Sequence, residues 1–395
     1  MRVLNVTLGF LPAISWGGPV KVVHQNSLEL QRRGGHVRIC ASNLLDKHHH
    51  IAPGSFERQV DGLPVLYLDT RLLPWWPGTT GPTFLSPAAL RRLWRAVRDA
   101  DIVHIHGTRN MLVLAAAWFA RWQRKPLVVQ PHGTLQYIVA SLRLKRLYDA
   151  LLLRPLLRRA AVGIALTTSE VEQMAAAGIP RARIRPLANG LNPTPPSPAA
   201  VRAFRARLGV ADDAFLILFL GRINRKKGAD LLVEAFARMP ASIRAHTHLI
   251  IAGPDDGQLA AVQGLTARLD LGHAVGFPGL IAAADVPAAL AAADLFVLPC
   301  RTDTFPMVLV EACAAGAPIL VTATCEMAHL LDGVAATVVP VDVDALATAM
   351  QELLADETRR AAYRQGGRQL LQTTFSLAAV GGRLEAIYAE ARQWA

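Results

Sequence analysis

A chain of 395 residues, 52% of them hydrophobic, is too long for one ordinary core and too apolar to stay disordered. No uninterrupted apolar run is as long as a membrane span, and the four cysteines (Cys40, Cys300, Cys313, Cys325) lack CxxC spacing, which suggests reduced thiols in a reducing, cytoplasmic setting. The formal charge of +12 is uneven: residues 1–195 hold 25 Lys+Arg against 10 Asp+Glu, and residues 196–395 hold 17 against 20. A basic half joined to a near-neutral half implies contact with a membrane surface, a phosphorylated substrate or a nucleic acid. No zinc finger, RRM signature or basic heptad region supports the last, so no nucleic-acid partner is expected.

In chain order, RVLNVTLGF (2–10) reads as a first strand running into the loop SWGGPVK rather than as a signal peptide. Amphipathic stretches, such as 18–33 and 86–100, then lie between the β-rich runs HVRICAS, DIVHIHG, PLVVQPHG and VGIALTTS. KHHH (47–50) reads as a solvated surface loop before it reads as a metal site, and no metal-ligand cluster is visible elsewhere. The proline-rich NGLNPTPPSPAA (189–200) is a linker signal. After it the pattern restarts with FLILFLGRI, THLIIAGP, AVGFPG, DLFVLPC and PILVT. Two successive βαβα series predict two Rossmann-like, doubly wound parallel sheets. The expected boundaries are 1–190, a linker at 191–200, 201–372, and a C-terminal helix over 373–395 that returns to the first domain.

Ligands of such sheets bind beyond the carboxyl ends of the strands, and two candidate segments fall there. In LGRINRKKGADLLVEAF (220–236), Arg222 and Lys227 follow a strand and precede a helix starting near Ala229. Two cations at a strand exit suit a diphosphate, although the residues alone leave open a solvated basic loop. In LPCRTDTFPMVLVEACAAG (298–316), a strand leads to a helix with Pro306 in its first turn and Asp303 or Thr304 as its cap. That helix start favours a phosphate oxygen. Asp303 in the loop and Glu311 in the helix are poorly placed to flank a glycosidic bond as a hydrolytic pair. They are read either as a grip on separate parts of an extended ligand or as a cap and a solvated glutamate.

The order of these segments, together with GGPVKVVHQNSLELQRRGGHV, PHGTL (131–135), TTSEVEQ (167–173) and NGLN (189–192), resembles the retaining nucleotide-sugar glycosyltransferases of the family 4, or group 1, type. The resemblance covers nearly the whole chain and implies the GT-B fold, two Rossmann-like domains facing across a cleft. It implies that Arg222 and Lys227 hold the donor diphosphate, with Phe305, Pro306 and Met307 at the helix start beside it. It further implies that Glu311 binds the ribose hydroxyls, that Asp303 (usually Glu in the family) and His132 face the donor sugar, and that Gly17 and Gly18 let backbone approach the donor. The reaction implied is retaining transfer from a nucleotide sugar, UDP- or GDP-linked, without a metal or other cofactor. Pro306, where many relatives have glycine, and the shorter Asp303 are departures. They keep open a non-catalytic nucleotide-sugar binder, beside an epimerase or a hydrolase.

On the acceptor side, His106 and Arg109 follow the DIVHIHG strand and are candidates to line the site, His106 equally as a structural residue. SLRLKRLYDALLLRPLLRRA (141–160) alternates leucines with six Arg/Lys, and RLLPWWPGTTGPTF (71–84) carries two adjacent tryptophans. Either feature could pack against its own domain or rest on an anionic membrane. The acceptor expected is a saccharide, lipid-linked if these segments meet the inner face of a membrane, in lipopolysaccharide or other cell-surface polysaccharide synthesis.

Overall fold

The computed structural model describes residues 1–13, 16–46, 48–72, 83–135, 148–211 and 213–394. It divides into two compact units, Met1–Gly190 with Leu377–Ala395, and Leu191–Ser376. The tryptophan pair of the 71–84 loop and the first part of the basic 141–160 segment lie outside the described residues.

In the first unit the strands are β1 (Arg2–Thr7), β2 (His36–Ser42), β3 (Phe56–Val60), β4 (Leu63–Leu68), β5 (Thr70–Leu72), β6 (Thr83–Leu85), β7 (Ile102–His106), β8 (Leu127–Gln130), β9 (Val162–Ala165) and β10 (Ile184–Pro186). Eight of them form one sheet in the order β10-β9-β8-β7-β1-β2-β4-β3, parallel except for the β3/β4 hairpin, while β5 and β6 pair separately. Central strands such as β7, β8 and β9 are buried along their whole length, which is why β8 and β9 read as nearly continuous apolar runs without alternation; β7 buries two histidines as well. Side-chain oxygens cap the intervening helices: Ser86 for Pro87–Asp99, Asn110 for Met111–Trp122, and Thr167 for Thr168–Ala177. The C-terminal helix Leu377–Ala391 belongs to this unit. Its Val380, Leu384, Ile387 and Tyr388 share a core with Val3, Leu30, Ile102 and Val128. Gly381 permits the contact, because a Cβ there would lie 2.7 Å from Glu29 Cγ.

The second unit has β11 (Phe215–Leu220), β12 (Thr247–Ala252), β13 (Val275–Gly279), β14 (Leu295–Leu298), β15 (Ile319–Thr322) and β16 (Ala336–Val339) in one parallel sheet, ordered β13-β12-β11-β14-β15-β16. The expected linker is shorter than its proline content implies. Ser197 caps a helix, Pro198–Arg207, whose first residue is a proline already set to helical φ, and Leu191 N–H donates to Phe375 C=O at 2.7 Å. The far boundary falls after Ser376 rather than 372, because the π-turn Leu371–Phe375 continues the preceding helix and buries Phe375 in this unit. The four cysteines are free and buried, and burial pushes the Cys40 and Cys313 thiols up to about 12. Among the described residues no helix is long and apolar enough to cross a membrane.

Each sheet reverses its strand order once, between β1 and β7 in the first unit and between β11 and β14 in the second. At such a reversal the helices leaving the two neighbouring strands diverge to opposite faces and open a crevice at the strand ends.

Candidate functional site

At the reversal of the second unit, two glycines set how closely the strand exits approach. Gly228 sits at φ +73°, and a Cβ there would stand 2.0 Å from the Pro299 carbonyl oxygen, so the loop after β11 lies directly on the exit of β14. Gly253, at φ +141°, would place a Cβ 1.9 Å from Gly221 O and holds the exit of β12 against the same loop. Arg301 fastens these layers. Its backbone N–H donates to Lys226 C=O at 2.7 Å, and its guanidinium grips both oxygens of Asp230 at 2.8 and 2.7 Å.

That arrangement brings Lys227 and Asp303 together from opposite sides of the reversal. Lys227 Nζ donates to Asp303 Oδ2 at 2.5 Å, and both side chains are largely buried. Asn224 Oδ1 accepts from the Lys227 backbone N–H at 3.1 Å, and the Asp303 carbonyl accepts from Glu326 N–H at 2.9 Å. Arg222 does not join the pair. It is exposed and donates to Asp256 Oδ2 at 3.0 Å, an oxygen it shares with Asn224 Nδ2 at 2.8 Å.

The helix expected to begin around Pro306 spans Met307–Ala315, and Pro306 holds the position just before it. The expectation of Asp303 as its cap is corrected: that carboxylate is three residues upstream and engaged by Lys227. Pro306 has neither an N–H nor a capping oxygen, so it does not compete with a ligand oxygen for the donors of the first turn. Phe305 is buried, edge-on to Phe375 at 6.3 Å, which anchors the chain entering the helix; Met307 is half-buried. Glu311 lies half-buried in the second turn.

At the reversal of the first unit the strand ends carry histidine and amide groups. His106, at the end of β7, is 4% exposed, and both its ring nitrogens have partners: Nδ1 lies 3.0 Å from His132 Nε2 and Nε2 lies 3.2 Å from Asn5 Oδ1 on β1. Asn5 Nδ2 in turn donates to Ser27 Oγ at 2.9 Å. His104, two residues back, lies 2.8 Å through Nδ1 from the Tyr388 hydroxyl of the C-terminal helix. Burial lowers all three histidines: His132 to about 4, His104 to about 3, and His106 well below its ordinary value. They are neutral imidazoles at pH 7.

His132 sits just past β8 at φ +54°, a backbone state uncommon for a side chain with Cβ. Buried Glu170 helps fix that turn: Oε1 accepts from Gly133 N–H at 2.6 Å and Oε2 from Leu166 N–H at 2.7 Å. Arg109 is 14% exposed and donates to both oxygens of Asp149 at 3.1 and 2.9 Å, and to the carbonyls of Thr134 and Leu135. Both residues expected to line an acceptor site, His106 and Arg109, thus turn inward and support the His132 turn. Gly17, at φ +88°, precedes the helix Gly18–Arg32, and a Cβ on Gly17 or Gly18 would meet nothing within 4 Å. Packing inside the unit therefore does not demand glycine at 18.

Among the described residues no group of three His, Cys, Asp or Glu is arranged to hold a metal ion. In the KHHH loop, His49 Nδ1 contacts Asp46 and His50 Nε2 the Thr70 carbonyl, while Lys47 lies outside the described residues. Asp149, Glu170 and Arg301 are the supporting residues that sequence reasoning missed. Only Glu170 had a local signal, the T-x-x-E of a capping box, and here its carboxylate also reaches across to another loop.

Residues 17–190 match the family described as Glycosyl transferase 4-like domain, and residues 201–370 match Glycosyl transferases group 1. The chain is 32% identical over 210 residues to the GDP-mannose-dependent alpha-(1-6)-phosphatidylinositol monomannoside mannosyltransferase of Mycolicibacterium smegmatis, covering 50% of this chain and 54% of that one. It is 30% identical over 179 residues to the lipopolysaccharide glucosyltransferase WaaG of Escherichia coli, covering 45% and 47%. The chain thus spans about half the length of the curated relatives it matches. Anabaena HepE, solved in complex with UDP, superposes with a TM-score of 0.77 at 20% identity over 98% of this chain and 100% of that one, which establishes the GT-B fold.

Proposed function

The chain belongs to the group 1 glycosyltransferases, and from that premise we propose that it moves a sugar from a nucleotide-sugar donor to a saccharide acceptor, with retention at the anomeric carbon and without a metal ion. The observation that carries this reading is the Lys227–Asp303 pair, 2.5 Å apart at the strand reversal of the group 1 domain. Without a ligand, each ion neutralises the other. A donor would exchange partners there: Lys227 turns to a diphosphate oxygen, and Asp303 is released to accept from a hydroxyl of the donor sugar.

As the anomeric bond breaks, negative charge grows on the β-phosphate. Lys227, Arg222 and the helix start at Phe305–Met307 are the groups assigned to stabilise it, in place of a divalent cation. Glu311 is assigned to the ribose hydroxyls. His132, neutral at pH 7, supplies a hydrogen bond without a charge that would oppose an oxocarbenium-like centre. Gly17 and Gly18 admit the donor where a side chain would block it. The acceptor hydroxyl attacks from the side the leaving group departs. The names of the relatives, a phosphatidylinositol monomannoside mannosyltransferase and a lipopolysaccharide glucosyltransferase, favour an acceptor carried on lipid, and a lipid-linked acceptor in turn suggests residence at a membrane surface.

Thermal shift with UDP-, GDP- and ADP-sugars tests the donor clamp, with Glu311→Ala as control. One donor should raise the midpoint of the native protein and not of the variant. Turnover of that donor with candidate acceptors, followed by NMR of the product anomer, then tests transfer and retention; activity should survive EDTA. Donor consumed at full rate without an acceptor would instead identify a hydrolase or epimerase. A stabilising donor that is never turned over would identify a binding protein.

A further inference from the structure

The helices Pro87–Asp99 and Met111–Trp122 lie against each other in the first unit and carry an aromatic cluster whose inner rings, Trp118 and Phe119, pack on the core while Trp94 and Trp122 project from it. The Trp94 ring meets Phe119 edge-on at 5.1 Å and Trp122 at 6.1 Å, and Trp122 stands 6.4 Å from Trp118. Trp122 is 64% exposed and Trp94 37%, so these two rings form a knob open to water on a base of Trp118 and Phe119. Exposed aromatic surface of this kind opposes solubility and marks a contact site. Cations border it. Arg91 and Arg98 stand three before and four after Trp94, on the same helical face, and the Arg121 guanidinium lies 5.0 Å over the Trp118 ring. Among the described residues Arg98 pairs with Asp99, while Arg91, Arg92 and Arg95 face solvent.

We propose that this tryptophan knob and its arginine border form the surface through which the protein rests on an anionic phospholipid membrane. Indole rings prefer the headgroup boundary, where the ring is half desolvated and the N–H stays wet, and flanking guanidinium groups attract the phosphates around it. The unit that carries the knob holds the +15 balance of residues 1–195, so the long-range field and the local contact have the same sign. The inference rests on the lipid-linked reading above and deepens it by naming the surface.

The test is co-sedimentation of the full chain with vesicles of phosphatidylcholine alone or mixed with phosphatidylglycerol, with no acceptor present. The native protein should bind the mixed vesicles at low salt and release as salt rises. Trp94→Ser with Trp122→Ser should weaken binding at least tenfold, and Arg91→Gln with Arg95→Gln about 30-fold, from about 1 kcal/mol for each basic residue at the surface. Both variants should keep the native thermal shift with donor, which shows intact folding and separates this test from that of the transferase reading. Native protein that ignores the mixed vesicles, or variants that bind them as well as native, would overturn the proposal. So would a native dimer that the tryptophan changes convert to monomer without altering vesicle binding, since the knob would then be a self-association surface.

Discussion

At the strand reversal of the first unit the strand ends carry neutral histidines and amides, braced from behind by Glu170 and the Arg109–Asp149 pair, whereas at that of the second the strand exits themselves carry ions on half-buried loops. His106 reaches both its neighbours within 3.2 Å and stays uncharged, because a dry site raises the free energy of imidazolium far more than that of imidazole. Lys227 and Asp303 lie against each other, and Arg222 stands in water beside Asp256. A neutral network holds a turn in place; a paired cation can trade its partner for a phosphate. The fold is common to both units, so the difference in chemistry comes from the loops at the strand ends.

The sharpest break of this comparison is Lys227→Ala. If the pair is a donor clamp, kcat with the matched nucleotide sugar should fall about 10² to 10³-fold, the usual loss of one transition-state electrostatic contact. An unchanged kcat would reduce the pair to an internal brace.

Gly228→Ala should follow, destabilising the second unit by about 3 kcal/mol through its left-handed backbone and the clash with Pro299. All seven tryptophans belong to the first unit, so far-UV circular dichroism should show the shifted transition while tryptophan fluorescence does not.

Acid should act on the first unit. The folded values of His104 and His132, about 3 and about 4, lie below the ordinary histidine value of about 6.5. Between those values the unfolded chain binds protons that the folded chain refuses. Stability is therefore complete above about pH 6.5 and falls as the pH drops toward 4, at about 1.4 kcal/mol per pH unit for each such histidine. Denaturation followed by tryptophan fluorescence should give that slope, and His104→Phe should flatten it.

Arg222→Ala should have the smallest effect on folding, no more than about 1 kcal/mol by chemical denaturation, because its pair with Asp256 is exposed. A larger loss would show that the second reversal is also a structural network.

Much of the fold was legible: the runs RVLNVTLGF, DIVHIHG and FLILFLGRI contain strands β1, β7 and β11 and overrun their ends by at most three residues, and the helix after Lys227 begins at Ala229 as expected. Cap placement was less so. Asp303 had the composition of a cap, but a lysine 76 residues away in sequence claimed its carboxylate. The partners of the acceptor candidates were hidden for the same reason, since nothing near Arg109 in sequence indicates that Asp149 lies beside it. The aromatic knob is the clearest case: Trp94 stands 24 and 28 residues before Trp118 and Trp122, and only the packing of two helices gathers them.

By itself the sequence determined the two parallel sheets and the strand exits that carry polar residues, because burial on both faces and the loop to the next helix are local constraints that periodicity and glycine express. Tertiary structure alone decided who partners whom: Lys227 with Asp303, Arg109 with Asp149, His106 with His132. A charge or a ring nitrogen takes whichever complementary group the topology sets within about 3 Å, and that distance carries no trace in the order of the residues.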